Sequence, residues 1–187
     1  MKNLFETALD VQSFCLENKW QFCFIGGLAL QRWGENRVTQ DLNLTIMTGI
    51  NNEEKFVNAL LKKYLSRVDD PLEFALENRI ALLKTSNNIA IDISFASLPY
   101  EEKLISRASY YNYLDIFSIL TCSAEDLIVL KTFAGRQKDL MDVAGVLIKQ
   151  GKSLDIEYIK EELSALAELR EDLEIMNILD KLLKENL

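Results

Sequence analysis

The sequence contains no histidine. That removes triads built on a histidine base and most zinc sites, and leaves carboxylates, lysine and hard cations as the chemical repertoire. Proline and glycine are scarce, at 2 and 7 of 187 residues, while 49% of the chain is hydrophobic, so disorder is excluded and one sizeable core, or a core with a helical appendage, is expected. No apolar run approaches the roughly 20 residues that span a bilayer, so no membrane role is expected. The three cysteines (Cys15, Cys23 and Cys122) lack paired spacing, and the start Met1-Lys2-Asn3-Leu4-Phe5-Glu6 has no signal-peptide core. Reduced thiols packed in the core of a cytoplasmic protein are therefore expected. Basic residues are outnumbered 29 to 21, giving a net charge of −8. A wide, sequence-independent nucleic-acid surface is disfavoured by that field, although a small basic pocket is allowed.

Hydrophobic periodicity organises what is present. Leu4, Phe5, Ala8, Leu9, Cys15 and Leu16 predict a first amphipathic helix ending near Lys19. Residues 21–25 read as a short buried strand closed by Gly26-Gly27, and 28–33 as two helical turns. Strict alternation predicts a strand over 41–46. A helix follows over 52–65, and strands over 79–84 and 89–95 form a hairpin through Thr85-Ser86-Asn87-Asn88. One further strand is expected over 113–121. Ser123-Ala124-Glu125-Asp126 has capping-box form and opens a helix to about Phe133, with Leu127, Leu130 and Ala134 inward. Helices over 137–149, 155–167 and 171–184 complete the chain, with Leu169, Leu173 and Met176 forming part of an apolar stripe. The composition changes near Ser123. The expectation is an α+β unit over 1–121, with a helical C-terminal region over 122–187 packed against it.

Two strands carry chemistry. Asp41, Asn43 and Thr45 share one face of the first, opposite Leu42, Leu44 and Ile46. Asp92 lies on the polar face of Ile89 to Phe95. If the two strands are neighbours with their apolar faces buried, Asp41, Asn43 and Asp92 converge on one open face. Like charges held that close call for a cation, and oxygen ligands select Mg²⁺ or Mn²⁺. Taken alone, Asp92 reads equally well as a solvated strand residue. Upstream, Gly26-Gly27 at a strand-to-helix junction lets backbone N–H groups approach a phosphate. Arg37 and Thr39 supply a phosphate contact or simply fix the loop, two options of equal weight. Farther on, Arg136, Lys138, Asp139 and Asp142 read by themselves as a surface with local ion pairs.

Together these residues resemble the nucleotidyltransferase superfamily of the DNA polymerase β type, through the Gly-Gly turn, the run Arg37-x-Thr39-x-Asp41-x-Asn43 on a strand, and the later lone Asp92. The segment Glu125-Asp126-Leu127…Lys131…Ala134-x-Arg136-x-Lys138-Asp139…Asp142 is similar to the branch that contains the abortive-infection toxins of type IV toxin–antitoxin systems. The likeness runs from Phe22 to Leu147. It implies a mixed β-sheet with flanking helices and a helical C-terminal region. An NTP with Mg²⁺ or Mn²⁺ would lie in the cleft, and a nucleotidyl group would pass to an acceptor hydroxyl on tRNA, protein or a small molecule. By the same resemblance Gly26 and Gly27 line the triphosphate with Arg37 and Thr39, Asp41, Asn43 and Asp92 form the metal site, and Asp92 activates the acceptor. Lys131 meets phosphate charge, and Arg136 and Asp139 face the nucleotide.

The chain departs from that pattern at Asn43, where the family normally has Asp, and at Leu28, where many relatives have serine. Losing a ligand charge weakens ion binding and favours one metal over two. An active enzyme that tolerates Asn43, helped by a neighbouring acid such as Glu35, is one reading. A nucleotide- or partner-binding module that kept the fold without the catalysis is the second. A purely structural domain, whose C-terminal helices bind a protein partner, is a third.

Overall fold

The protein is described by a computed structural model covering residues 2–35 and 38–187. In chain order the elements are α1 (Lys2–Glu17), β1 (Phe22–Ile25), α2 (Gly26–Trp33), β2 (Asp41–Met47), α3 (Glu53–Leu60), β3 (Leu65–Ser66), α4 (Pro71–Asn78), β4 (Ile80–Lys84), β5 (Ala90–Ala96), α5 (Pro99–Ser106), β6 (Ser109–Tyr113), β7 (Phe117–Thr121), α6 (Ala124–Ala134), α7 (Gln137–Gln150), α8 (Ile156–Arg170) and α9 (Glu174–Asn186). The class is α+β. Residues 2–28 and 38–122 form one compact unit, and residues 29–35 and 123–187 form another.

The first unit is built on a mixed seven-stranded sheet of order β3-β4-β5-β2-β1-β7-β6. β2 and β5 are parallel, as are β1 and β7, and the remaining neighbours are antiparallel. Alternation sets the faces: Leu42, Leu44 and Ile46 of β2 and Ile91, Ile93 and Phe95 of β5 are buried under Phe5, Ala8 and Val11 of α1 and Phe56, Val57 and Leu60 of α3. Each large side chain removed from water there contributes about 1.5–3 kcal/mol. Strand β1 meets β7 at Phe24 and Thr121. Gln12 of α1 serves the rest of β7: Leu120 N donates to its Oε1 at 2.9 Å, and its Nε2 donates to Ser118 O at 2.9 Å. All three cysteines are buried, as the sequence predicts, and none is disulfide-bonded.

A second buried device lies at the far end of β5. Arg79 sits in the left-handed region at the end of α4 (φ 54°), pairs with the buried carboxylate of Glu53, and donates to the carbonyls of Phe95 and Gly49. One guanidinium thus satisfies a buried acid and two backbone acceptors.

In the second unit, Ser123 caps α6, accepting from Asp126 N at 3.0 Å. Asp126 is itself fully buried, and its carboxylate accepts from the Ser123 hydroxyl at 2.5 Å and the Tyr158 hydroxyl at 2.8 Å. The C-terminal end of α2 is finished by α7: Lys149 Nζ donates to Gly34 O at 2.8 Å and Gln150 Nε2 to Trp33 O at 2.7 Å. A cation on those orphan carbonyls also suits the helix dipole.

Several expectations need correction. The strand expected over 113–121 is a hairpin, β6 turning into β7 through Leu114 and Asp115, both at positive φ (52° and 60°). The helix expected over 52–65 stops at Leu60, and Leu65–Ser66 form the edge strand β3. Ala134 is exposed and Leu130 half-buried, because α6 buries Ile128, Val129 and Thr132 alongside Leu127. Leu169 and Leu173 are 71% and 64% exposed, and α9 is anchored by Ile175 and Leu179 instead.

Candidate functional site

Register assembles the site. In the parallel pair β2–β5, Asn43 stands opposite Asp92 and Asp41 opposite Ala90. On its other side Asn43 is opposite Ile25, the last residue of β1 before the glycine turn. Residues opposite one another point to the same face, so Asp41, Asn43 and Asp92 lie together on the face away from Leu42, Leu44 and Ile46. All three are half-buried.

The glycine turn packs directly on these side chains. Gly26 begins α2 in the left-handed region (φ 59°), and a Cβ there would lie 3.0 Å from Asn43 Cβ. At Gly27 a Cβ would lie 2.3 Å from Thr39 Oγ1. The same hydroxyl donates to Asp41 Oδ1 at 2.9 Å, and Asn43 Nδ2 donates to Asp41 Oδ2 at 3.3 Å. Thr39 is buried, and it ties the turn to the carboxylate. Arg37, the other residue expected to act from this loop, lies outside the described residues.

A residue the sequence did not point to completes the group. Arg67, just beyond β3, forms an ion pair with Asp92. Its own backbone N–H donates to Leu82 O at 2.9 Å, and Leu82 is the cross-strand partner of Asp92. Arg67 therefore stands two strands from Asp92 in the same transverse row, about 10 Å at the usual strand spacing, a span an arginine side chain covers. Ser66 and Val68 lock the residue between them: Ser66 Oγ donates to Val68 O at 2.7 Å and accepts from Val68 N at 3.0 Å. The signal in the sequence was a lone basic residue after a two-residue strand, too slight to find.

The Asp92 carboxyl is held above the ordinary carboxylate range, chiefly by burial; Arg67 pulls it down and the nearby Asp41 carboxylate pushes it up. Among the described residues no group of three or more histidine, cysteine, aspartate or glutamate side chains is placed to hold a metal ion. The two carboxylates and the Asn43 amide offer oxygen donors on this face. Asp41 with a rotated Asn43 amide suits one hard cation. A second ion shared between Asp41 and Asp92 does not fit, because the bridging carboxylate is absent and Asp92 already meets a guanidinium.

The remaining predicted residues form a separate cluster in the second unit. Lys131 of α6 is buried, with its Nζ 2.8 Å from Asp139 Oδ1 and 2.6 Å from Asp142 Oδ2. Arg136 is exposed, and its Nε donates to Asp139 Oδ2 at 2.5 Å. Burial raises the Asp139 carboxyl, but hydrogen bonds and charge from Lys131 and Arg136 outweigh it and leave the group below its ordinary value. Glu35 also belongs to this unit and lies beside Gly145, where a Cβ would be 3.4 Å from its Cγ.

With that geometry in place, comparison with known proteins is informative. Residues 16–186 match the family described as Nucleotidyl transferase AbiEii toxin, Type IV TA system. No curated protein is significantly similar to the chain. Solved structures that share the fold include the following three. ANT(2")-Ia, crystallised with adenylyl-2"-tobramycin, is 14% identical over 90% of this chain and 99% of that one, with a TM-score of 0.56. An antigenic nucleotidyltransferase-like protein from Paracoccidioides brasiliensis is 13% identical over 98% and 93%, with a TM-score of 0.54. The lincosamide antibiotic adenylyltransferase LnuA, bound to lincomycin, is 15% identical over 75% and 95%, with a TM-score of 0.52.

Proposed function

The chain belongs to the family of the nucleotidyl transferase AbiEii toxin of type IV toxin–antitoxin systems, and on that premise we propose that it transfers a nucleotidyl group from an NTP to an acceptor hydroxyl. The observation that carries the reading is the β2–β5 register, which sets Asp92 against Asn43, and Asp41 beside both, next to the glycine-opened start of α2. Phosphoryl-type transfer depends mainly on positioning and on neutralising charge as it develops. Asp41, with the Asn43 amide oxygen, would hold one Mg²⁺ or Mn²⁺, which would supply that neutralisation when bound.

The other roles fall to the chain's own groups. The backbone N–H groups at Gly26 and Gly27 would receive the triphosphate at the start of α2. Thr39 keeps Asp41 oriented through its 2.9 Å hydrogen bond, and Arg37 would add a phosphate contact. Asp92 would take the proton from the acceptor hydroxyl. In the second unit Lys131, Asp139 and Arg136 would serve nucleotide binding, with the buried Lys131–Asp139 pair fixing how Arg136 is held. The acceptor could be tRNA, protein or a small molecule, and a partner protein fits the toxin–antitoxin family. A cytoplasmic setting is consistent with the absence, among the described residues, of a helix long and apolar enough to cross a membrane.

A second reading, a nucleotide- or partner-binding module without catalysis, is favoured by one specific observation: Asn43 turns an amide N–H toward Asp41 where the family normally has a carboxylate. Calorimetry with each of the four NTPs, with and without Mg²⁺ or Mn²⁺, tests the pair of readings on the natural protein and on Asn43→Asp. Metal-dependent binding by the natural protein supports a working nucleotide site and justifies a search for the acceptor. Binding only after Asn43→Asp supports the second reading, and binding by neither discards transfer and nucleotide binding alike.

A further inference from the structure

The two carboxylates of the site are already met by donors from the chain itself. Asp41 receives the Thr39 hydroxyl and the Asn43 amide, and Asp92 receives the Arg67 guanidinium. We infer that Arg67 is a built-in cation of the carboxylate pair. It holds the place beside Asp92 that a second divalent ion would need, so the chain takes up one such ion, at Asp41 and Asn43, and not two. The inference rests on the nucleotidyl-transfer reading and adds to it which cation neutralises Asp92.

Three features argue for this. Arg67 is placed by the fold and not by chance contact: its backbone is hydrogen-bonded to the strand next to β5, and the Ser66–Val68 bonds fix the residues on either side. A guanidinium stays charged at every relevant pH, and its fork matches a carboxylate edge, so it is a permanent counter-charge. Asn43 is the matching change on the opposite strand. With one carboxylate replaced by an amide and another paired to arginine, these positions carry less negative charge than two divalent ions held close together require. Asn43 and the Arg67-paired Asp92 stand on neighbouring strands in the same row.

The test counts bound Mn²⁺ by electron paramagnetic resonance during titration of the full chain with Mn²⁺ alone. It uses the natural protein, Arg67→Gln, Arg67→Lys, Asn43→Asp and the double variant Arg67→Gln/Asn43→Asp, each checked for an unchanged circular dichroism spectrum. One ion is expected for the natural protein, for Arg67→Lys, which keeps the charge, and for Asn43→Asp. Arg67→Gln should bind its ion on the order of tenfold more tightly, and the double variant should bind two. Two ions on the natural protein, or on Asn43→Asp alone, overturn the inference while leaving the transfer reading intact. So does an affinity unmoved by Arg67→Gln. No bound Mn²⁺ on any variant overturns the inference, and the transfer reading then stands or falls on calorimetry with NTP and metal together.

Discussion

Asn43 is the direct cross-strand partner of Asp92 in the parallel pair β2–β5, and on its own strand it shares a face with Asp41. An aspartate at that position would sit between two carboxylates, and like charges across strands are destabilising by roughly 0.2–1 kcal/mol. Asn43→Asp is therefore expected to melt at a lower temperature than the natural protein without divalent ions. It should gain more from added Mg²⁺, since a ligand that binds only the folded state stabilises it. Thermal melts with and without Mg²⁺ check this; a variant as stable as its parent in both conditions would mean that the three side chains do not share a charge field.

Gly27 is required by its neighbour before any ligand is considered. A Cβ at that position would lie 2.3 Å from Thr39 Oγ1 and 2.7 Å from Thr39 Cβ. Gly27→Ala should cost about 1–3 kcal/mol by overpacking. Thr39→Gly removes every atom of that clash, so the double variant should be more stable than the sum of the two single changes. Denaturant unfolding of the four proteins gives the coupling, and strictly additive changes would refute the contact.

Much of this site was legible in the sequence, and the reason is periodicity. Asp41, Asn43 and Asp92 stand in strands whose alternation is uninterrupted, so the polar face could be read from spacing alone. Arg67 was not legible, because its role depends on two ladders, β3–β4 and β4–β5, that bring residues 25 apart in sequence into one row. The β6–β7 hairpin was missed for a local reason. Its turn places Leu114 and Asp115 at positive φ, where glycine or asparagine is the usual marker. Helices α4 and α5 did carry a signal: each starts on a proline, Pro71 and Pro99, at the position where a missing N–H costs nothing. Lys131 was expected to meet phosphate charge, and in the structure its ammonium is paired with the carboxylates of Asp139 and Asp142.

Removing Lys131 leaves those two buried carboxylates facing one another. Lys131→Met should cost about 3–5 kcal/mol at neutral pH, the usual penalty for breaking a buried pair from one side. The pH dependence follows from Asp139, whose folded pKa lies below its unfolded value. Such a group adds stability above its unfolded pKa of about 3.9 and gives it up as pH falls through the lower folded value. Lys131→Met should lose that contribution, so its stability should depend less steeply on acid below pH ~4 than that of the natural protein. Urea unfolding from neutral pH into the acid range measures both effects, and parallel curves would show that the lysine does not govern Asp139.

Thr45 offers a test whose sign decides between two pictures of the same strand. It continues the face of Asp41 and Asn43, it is 3% exposed, and its hydroxyl has no hydrogen-bond partner among the described residues. A buried donor left unsatisfied costs about 1–3 kcal/mol, so replacing it with a methyl of the same shape should relieve that cost. Valine also suits the middle of a strand, where branched side chains pack well. Thr45→Val is accordingly expected to stabilise the nucleotide-free protein by about 1 kcal/mol. If the variant is instead less stable by a similar amount, the hydroxyl must be bonded in solution to an ordered water beneath the site. Thr45 would then belong to the polar network of Asp41 and Asn43 and not to the core. Chemical denaturation of the two proteins separates the outcomes, because the predicted changes have opposite signs.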